Sequence, residues 1–364
     1  MNKKIKNSES RILIIAEAGV NHNGSIDMAK QLIDVASEAG ADIIKFQTFK
    51  AENVISKYAA KADYQKKTTA ENESQLDMVK KLELDEAAHH ILIDHCRTSG
   101  IEFLSTPFDF ESIDLLCQKL NLSRVKIPSG EITNGPYLLH IAKTDKPVIL
   151  STGMSTLGEV ETALAVLSFG YLHKKQKPSL QQFQDAYYSE KGQAILAKKV
   201  ILLHCTTEYP APFEEVNLKV METMQKAFGI PVGLSDHTPG IAVSLAATAL
   251  GAAVIEKHFT LDKNLPGPDH KASLVPNELK DMIIGIRQIE AALGNGKKIP
   301  MPKELKNQVV ARKSLVAARP ICKGEIYTSQ NLSIKRPGTG LSPMKYWELI
   351  GEKVNKNHDV DEII

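Results

Sequence analysis

Cysteine is scarce in this chain, with Cys96, Cys117, Cys205 and Cys322 the only four in 364 residues. They stand far apart without a CxxC pair, which argues against a disulfide framework or a structural zinc site. Reduced thiols in a cytoplasmic protein are the expectation. Net charge is also nearly absent, at +2. A balance so close to neutrality favours neither nucleic acid nor an acidic membrane surface as a partner. No apolar stretch is long enough to span a bilayer. The opening MNKKIKNSES carries lysines, yet Glu17 and Asn21 to Asn23 interrupt the apolar run that a signal segment would need.

What the chain has is repetition of another kind. Eight short apolar runs each end in polar or ionisable residues: 12–19, 42–48, 102–108, 124–131, 147–153, 199–206, 231–238 and 254–260. Helical stretches follow them at about 25–38, 85–98, 110–119, 135–143, 156–168, 217–227, 240–250 and 277–292, by their apolar periodicity. Buried strands alternating with helices form parallel βαβ units, and eight such units make a (β/α)8 TIM barrel of roughly 250 residues. The expected organisation is an α/β barrel over 1–291 and a linker at 292–305, marked by Gly294, Gly296, Pro300 and Pro302. A small β-rich C-terminal domain follows over 306–364. Two connections are long. Residues 49–82 leave the carboxyl ends of the strands, where loops close over substrates, and carry Lys57, Lys61, Lys66 and Lys67. Residues 170–198 join a helix to the next strand, which suits stability or contact.

Chemistry in such a barrel sits where strands end. Those ends hold Glu17, Lys45, Gln47, Thr106, Lys126, Ser129, Glu131, Ser151, His237 and His258. His237 and His258 end adjacent strands, so their imidazoles come within a few ångströms. Two neutral imidazoles with open positions suit a catalytic divalent ion, although two histidines also serve as plain hydrogen-bonding groups. Asp236 and Glu256 stand beside them as orienters or further ligands. Lys45 and Gln47, two apart on one strand, face the same way. Buried lysines are costly without anions, so Lys45 and Lys126 pair with Glu17 or Glu131, or else hold a phosphate or carboxylate. Ser129, Ser151 and Ser235 add neutral donors to such an anion site. Asp269, in the rigid PGPDHKAS loop, is a turn residue or a polyol ligand. Arg336, in KRPGTG, is a surface turn residue or a guanidinium that grips a carboxylate or carbonyl.

The motifs AEAGVNHNG (16–24), IKFQT (44–48), STPF (105–108), KIPSGE (126–131), ILSTGM (149–154), LLHCTTEYPAP (202–212), GLSDHT (233–238), EKHFT (256–260), PGPDH (266–270) and KRPGTG (335–340) run nearly the whole chain. In this order they resemble the sialic acid synthase family. These bacterial nonulosonate synthases, diacetyllegionaminate synthase among them, join phosphoenolpyruvate to an N-acylated hexosamine. The resemblance implies a C-terminal antifreeze-like (SAF) domain that caps the partner's barrel in a domain-swapped homodimer. It implies His237 and His258 as ligands of manganese, with magnesium or cobalt as alternatives. Lys45, Thr106, Lys126, Ser129, Ser151 and Ser235 match positions that bind phosphoenolpyruvate. Glu17, Gln47, Glu131, Tyr209 and Asp269 match positions near the sugar or the reacting carbons, with Glu131 or Glu17 as the acid/base. Arg336 matches the arginine that reaches the partner's sugar.

One departure concerns the sugar. Where some N-acetylneuraminate synthases have CTNIYPTP, this chain has CTTEYPAP, so Thr207 replaces an asparagine expected to touch the sugar and Glu208 is an added charge. N-acetylmannosamine and a 6-deoxy-2,4-diacetamido hexose are both compatible. A related synthase acting on a sugar phosphate and a non-catalytic carbohydrate-binding protein are the alternatives.

Overall fold

The computed structural model describes residues 11–56 and 74–364, so Lys57, Lys61, Lys66 and Lys67 lie outside the described residues. The chain divides into two compact units, one running to Gly294 and one from Asn295 to Ile364.

Eight parallel strands build the first unit: β1 (Leu13–Gly19), β2 (Ile43–Thr48), β3 (Glu102–Pro107), β4 (Val125–Ile127), β5 (Val148–Ser151), β6 (Val200–Cys205), β7 (Val232–Asp236) and β8 (Val254–His258). Ladders run in the order β3-β2-β1-β8-β7-β6-β5-β4, and β3 lies against β4 to complete the ring. The crossovers carry α1 (Ile26–Ala39), α2 (Ala51–Val54), α3 (Gln75–Lys80), α4 (Glu86–Ser99), α5 (Phe110–Asp114), α6 (Gly135–Lys143) and α7 (Leu157–Leu172). The remaining helices of the unit are α8 (Leu180–Tyr188), α9 (Glu190–Lys199), α10 (Val220–Phe228), α11 (Ala242–Ala249) and α12 (Pro276–Leu293). Local signals explain the boundaries. Ser25 caps α1 at its start and Gly40, at φ 89°, ends it in the left-handed region. Thr156 and Glu159 form a capping box at α7.

Side-chain alternation along the strands creates the site. Ile15, Ile43, Leu104, Ile149, Leu203 and Val254 point inward and fill the barrel with an apolar plug. Each buried side chain of this size contributes about 1.5–3 kcal/mol, which offsets the cost of the charged layer above it. Two residues further along the same faces come Glu17, Lys45, Thr106, Ser151, Cys205 and Glu256, because the period of a strand is two. β7 places Gly233 at the level of the plug, where an added Cβ would collide with the Val254 carbonyl. The outward faces pack against the helices as a separate, larger core.

The polar segment 170–198 is not an open connection. It folds as α8 and α9, capped by the Ser179 and Ser189 side chains, and Phe183 of α8 packs edge-on against Phe169 of α7 at 5.2 Å between centroids. The second unit holds α13 (Pro302–Ala311), an antiparallel pair β9 (Ser314–Ala317) and β10 (Leu332–Lys335), and α14 (Tyr346–Leu349). Its own small core gathers Ala317, Ile321, Tyr327, Leu332 and Val354. Arg336 is exposed there and donates from Nε to the Ala311 carbonyl at 3.1 Å.

Candidate active site

A cavity of about 520 Å³ opens at the carboxyl ends of the strands. Its wall includes Glu17, Lys45, Gln47, Thr106, Lys126, Ser129, Ser151, Thr207, Tyr209, Ser235, His237, His258 and Asp269, so thirteen residues named from sequence meet in one place. Glu131 is not among the lining residues. β4 ends at Ile127, and the tight turn Ser129–Glu131 puts the Glu131 carboxylate in reach of Asn134, which donates to its Oε2 at 2.6 Å. Arg336 belongs to the second unit.

Charge is organised around two buried lysines and two buried glutamates. Lys45 Nζ lies 3.0 Å from Glu17 Oε1 and 3.5 Å from Glu256 Oε2, and donates to Thr106 Oγ1 at 3.2 Å. Lys126 Nζ donates to Ser151 Oγ at 2.7 Å and Glu256 Oε1 at 3.1 Å. Ser235 Oγ donates to the same Glu256 oxygen at 2.7 Å. Lysine pairing with Glu17 is as expected, whereas pairing with Glu131 is not what the fold provides. Glu256 takes that place and bridges both ammonium groups.

The environment separates the two carboxylates. Burial raises the Glu17 carboxyl to about 7, with Lys45 opposing and Glu256 adding repulsion. Burial acts on Glu256 too, but Lys126 and Lys45 outweigh it and hold that carboxylate well below its ordinary range. Burial lowers Lys126, with Glu256 opposing it incompletely. The same burial acts on Lys45, where Glu17 and Glu256 more than reverse it. Burial alone raises Asp269 to about 6.

The imidazoles of His237 and His258 stand 5.5 Å apart between centroids, with Tyr209 over His237 at 4.3 Å. His237 is anchored through Nδ1 to the Thr206 carbonyl at 2.6 Å, which leaves Nε2 with the weaker Ser235 hydroxyl at 3.3 Å. Burial lowers His237 to about 4 and pushes His258 well below its ordinary value, so both rings are neutral at pH 7. His258 Nδ1 is buried with no hydrogen-bond partner. Among the described residues, no three His, Cys, Asp or Glu side chains form a ready metal cage. The donor set a divalent ion would find here is the two neutral imidazoles, His258 with its unpartnered buried Nδ1 among them.

Opposite this polar floor the wall is apolar. Val20, Phe49 and Leu82 form a buried cluster with Val79 and Phe108, and Met78 of α3 joins them at the cavity.

Comparison with known proteins agrees with this architecture. Residues 32–298 match the NeuB family and residues 312–358 the SAF domain. The N,N'-diacetyllegionaminic acid synthase of Campylobacter jejuni is 55% identical over 354 residues, covering 97% of this chain and 99% of that one. The human N-acetylneuraminate-9-phosphate synthase is 34% identical over 353 residues, with 96% and 90% covered. The crystal structure of an N-acetylneuraminic acid (sialic acid) synthetase from Leptospira borgpetersenii superposes with a TM-score of 0.65 at 30% identity. It covers 82% of this chain and 90% of that one.

Proposed function

The chain belongs to the NeuB family, and from that premise we propose that it condenses phosphoenolpyruvate with an open-chain 2,4-diacetamido-2,4,6-trideoxymannose. The product is N,N'-diacetyllegionaminic acid and inorganic phosphate. The observation that carries this reading is the floor of the cavity, where an anion site stands beside a neutral imidazole pair. Lys45 and Lys126, with the hydroxyls of Thr106, Ser129, Ser151 and Ser235, hold the phosphate and carboxylate of phosphoenolpyruvate. His237 and His258 hold a manganese-type ion, which polarises the sugar aldehyde when bound.

The bonds change in sequence. The methylene carbon of phosphoenolpyruvate bonds to the aldehyde carbon, whose oxygen takes up a proton. Water then bonds to the phosphate-bearing carbon and loses a proton, and as the C–O bond to phosphate breaks the new hydroxyl becomes the keto carbonyl and its proton leaves with the phosphate. Glu17 accepts the proton from water, since it lines the cavity and its carboxyl titrates near neutrality. Turnover is expected to rise as pH climbs through about 7, as Glu17 ionises. Glu17→Gln flattens that limb of the profile and lowers kcat by roughly 10²–10⁴-fold. Stability runs the other way. The folded carboxyl sits above its ordinary 4.5, so its contribution is full below that value and lost as pH rises through about 7. Thermal unfolding on either side of neutrality, for parent and Glu17→Gln, checks the sign.

The apolar wall supports the 6-deoxy sugar over N-acetylmannosamine. A methyl group at C6, together with the acetamido methyls, finds apolar partners in Phe49, Met78 and Leu82. A hydroxyl set against Phe49, Met78 and Leu82 would lose water without gaining a hydrogen bond from these three side chains, at a cost of about 1–3 kcal/mol, or roughly 10–200-fold in kcat/KM. Phosphate release with manganese, with and without chelator, compares the two sugars. Chelator-sensitive release that favours the 6-deoxy sugar by tenfold or more is expected. Equal rates would sink the assignment of the wall. The active form in this reading is a cytoplasmic homodimer in which the partner's Arg336 completes the sugar site.

A further inference from the structure

We propose that Asp236 and Lys257 are positioning residues that fix His237 and His258 from the opposite face of the strands. This rests on the histidine pair being the metal site of the synthase. Asp236 and Lys257 are direct neighbours in the β7–β8 register, one residue before the two histidines. Alternation turns them outward while Ser235, His237, Glu256 and His258 line the cavity. Their side chains are 1% and 0% exposed, and Lys257 Nζ lies 2.9 Å from Asp236 Oδ2.

The pair closes around the residue that follows His237. Lys257 Nζ donates to the Thr238 carbonyl at 2.5 Å. Asp236 Oδ1 accepts from the Thr238 backbone N–H at 2.9 Å and from its hydroxyl at 2.7 Å. Asp236 Oδ2 accepts from Ser244 of α11 at 2.7 Å. His237 thus sits between Asp236 and a Thr238 whose N–H, carbonyl and hydroxyl are all tied. Lys257, in turn, couples that turn to the strand that carries His258. A buried ion pair is often no more stabilising than apolar residues of the same volume, so stability alone does not account for this one. Its geometry does: it locks the register of two strand ends whose imidazoles must converge.

The test compares Lys257→Met and the charge-free double variant Asp236→Asn/Lys257→Met with Arg287→Met. Arg287 serves as a control because it makes a partly buried ion pair with Asp42, 2.7 Å away, and lines no part of the cavity. Manganese affinity is read by electron paramagnetic resonance of the free ion, alongside circular dichroism and the KM for phosphoenolpyruvate. Both clamp variants are expected to lose roughly 10–100-fold in manganese affinity, with KM for phosphoenolpyruvate within about threefold of the parent. The control is expected to melt lower and bind manganese as the parent does. Parental affinity in either folded clamp variant overturns the inference alone. A parent chain with no affinity for manganese overturns the metal reading and this inference with it. The double variant leaves no uncompensated charge, so it covers the case in which Lys257→Met fails to fold.

Discussion

Replacing His237 with alanine is expected to lower turnover by about a thousandfold or more while leaving the chain folded. In the proposed reaction the ring would contribute one of two imidazoles to an ion that polarises the aldehyde, and Lewis-acid stabilisation of this kind is worth several kcal/mol. Folding should survive, because His237 lies above the apolar plug rather than in it, on the floor of the cavity. The variant loses the bond to the Thr206 carbonyl and the contact with Tyr209, so a modest fall in melting temperature accompanies the loss. Rate measurements at saturating manganese separate a weakened ion site from a broken one. Near-parental turnover would remove the histidine pair from the mechanism.

Lys126→Ala is expected to cost nearly as much, by another route. Lys126 is buried and donates to Ser151 and Glu256, and in the proposed reaction it would neutralise phosphoenolpyruvate. Truncating one partner of a buried, hydrogen-bonded charge pair costs about 2–5 kcal/mol, or roughly thirtyfold to a few thousandfold in kcat/KM. The loss should fall largely on the KM for phosphoenolpyruvate, since the charge is present in both ground and transition states. Glu256→Gln provides the opposite control. It removes the anion that bridges Lys45 and Lys126, and breaking a buried pair in this way costs about 3–5 kcal/mol of stability. Inorganic phosphate should restore much of that stability, because it supplies the missing negative charge. If phosphate raised the melting temperature of Glu256→Gln no more than that of the parent, the two lysines would not form the anion site.

Much of this arrangement was legible before any coordinates. Period-two strands put ionisable residues on the cavity face at Glu17, Lys45, Lys126 and His258, and motif order identified their companions. The rest depended on where turns and distant strands come together. Glu131 follows a lysine strand in a family motif, but the three-residue turn after β4 places its carboxylate beside Asn134. In the sequence, Glu256 stands beside the histidines as an orienter or ligand. Its pairing with Lys126, 130 positions away, emerges only when β8 closes the ring. The apolar wall was hidden for a similar reason. Val20, Phe49 and Leu82 come from separate loops, and nothing in their spacing indicates that they meet. Within 170–198, α8 turns Phe183, Ala186 and Tyr187 to the core from an otherwise polar stretch, α9 has only a weak apolar period, and the capping serines mark both starts.

In the proposed reaction phosphoenolpyruvate loses phosphate by cleavage at carbon during condensation with the acylated sugar. Phosphoenolpyruvate labelled with ¹⁸O in its bridging oxygen tests this most directly, with 2,4-diacetamido-2,4,6-trideoxymannose and manganese present. Phosphate release is expected only with the sugar, with the label leaving in the phosphate. Label retained in the keto acid, or release without any sugar, would contradict it.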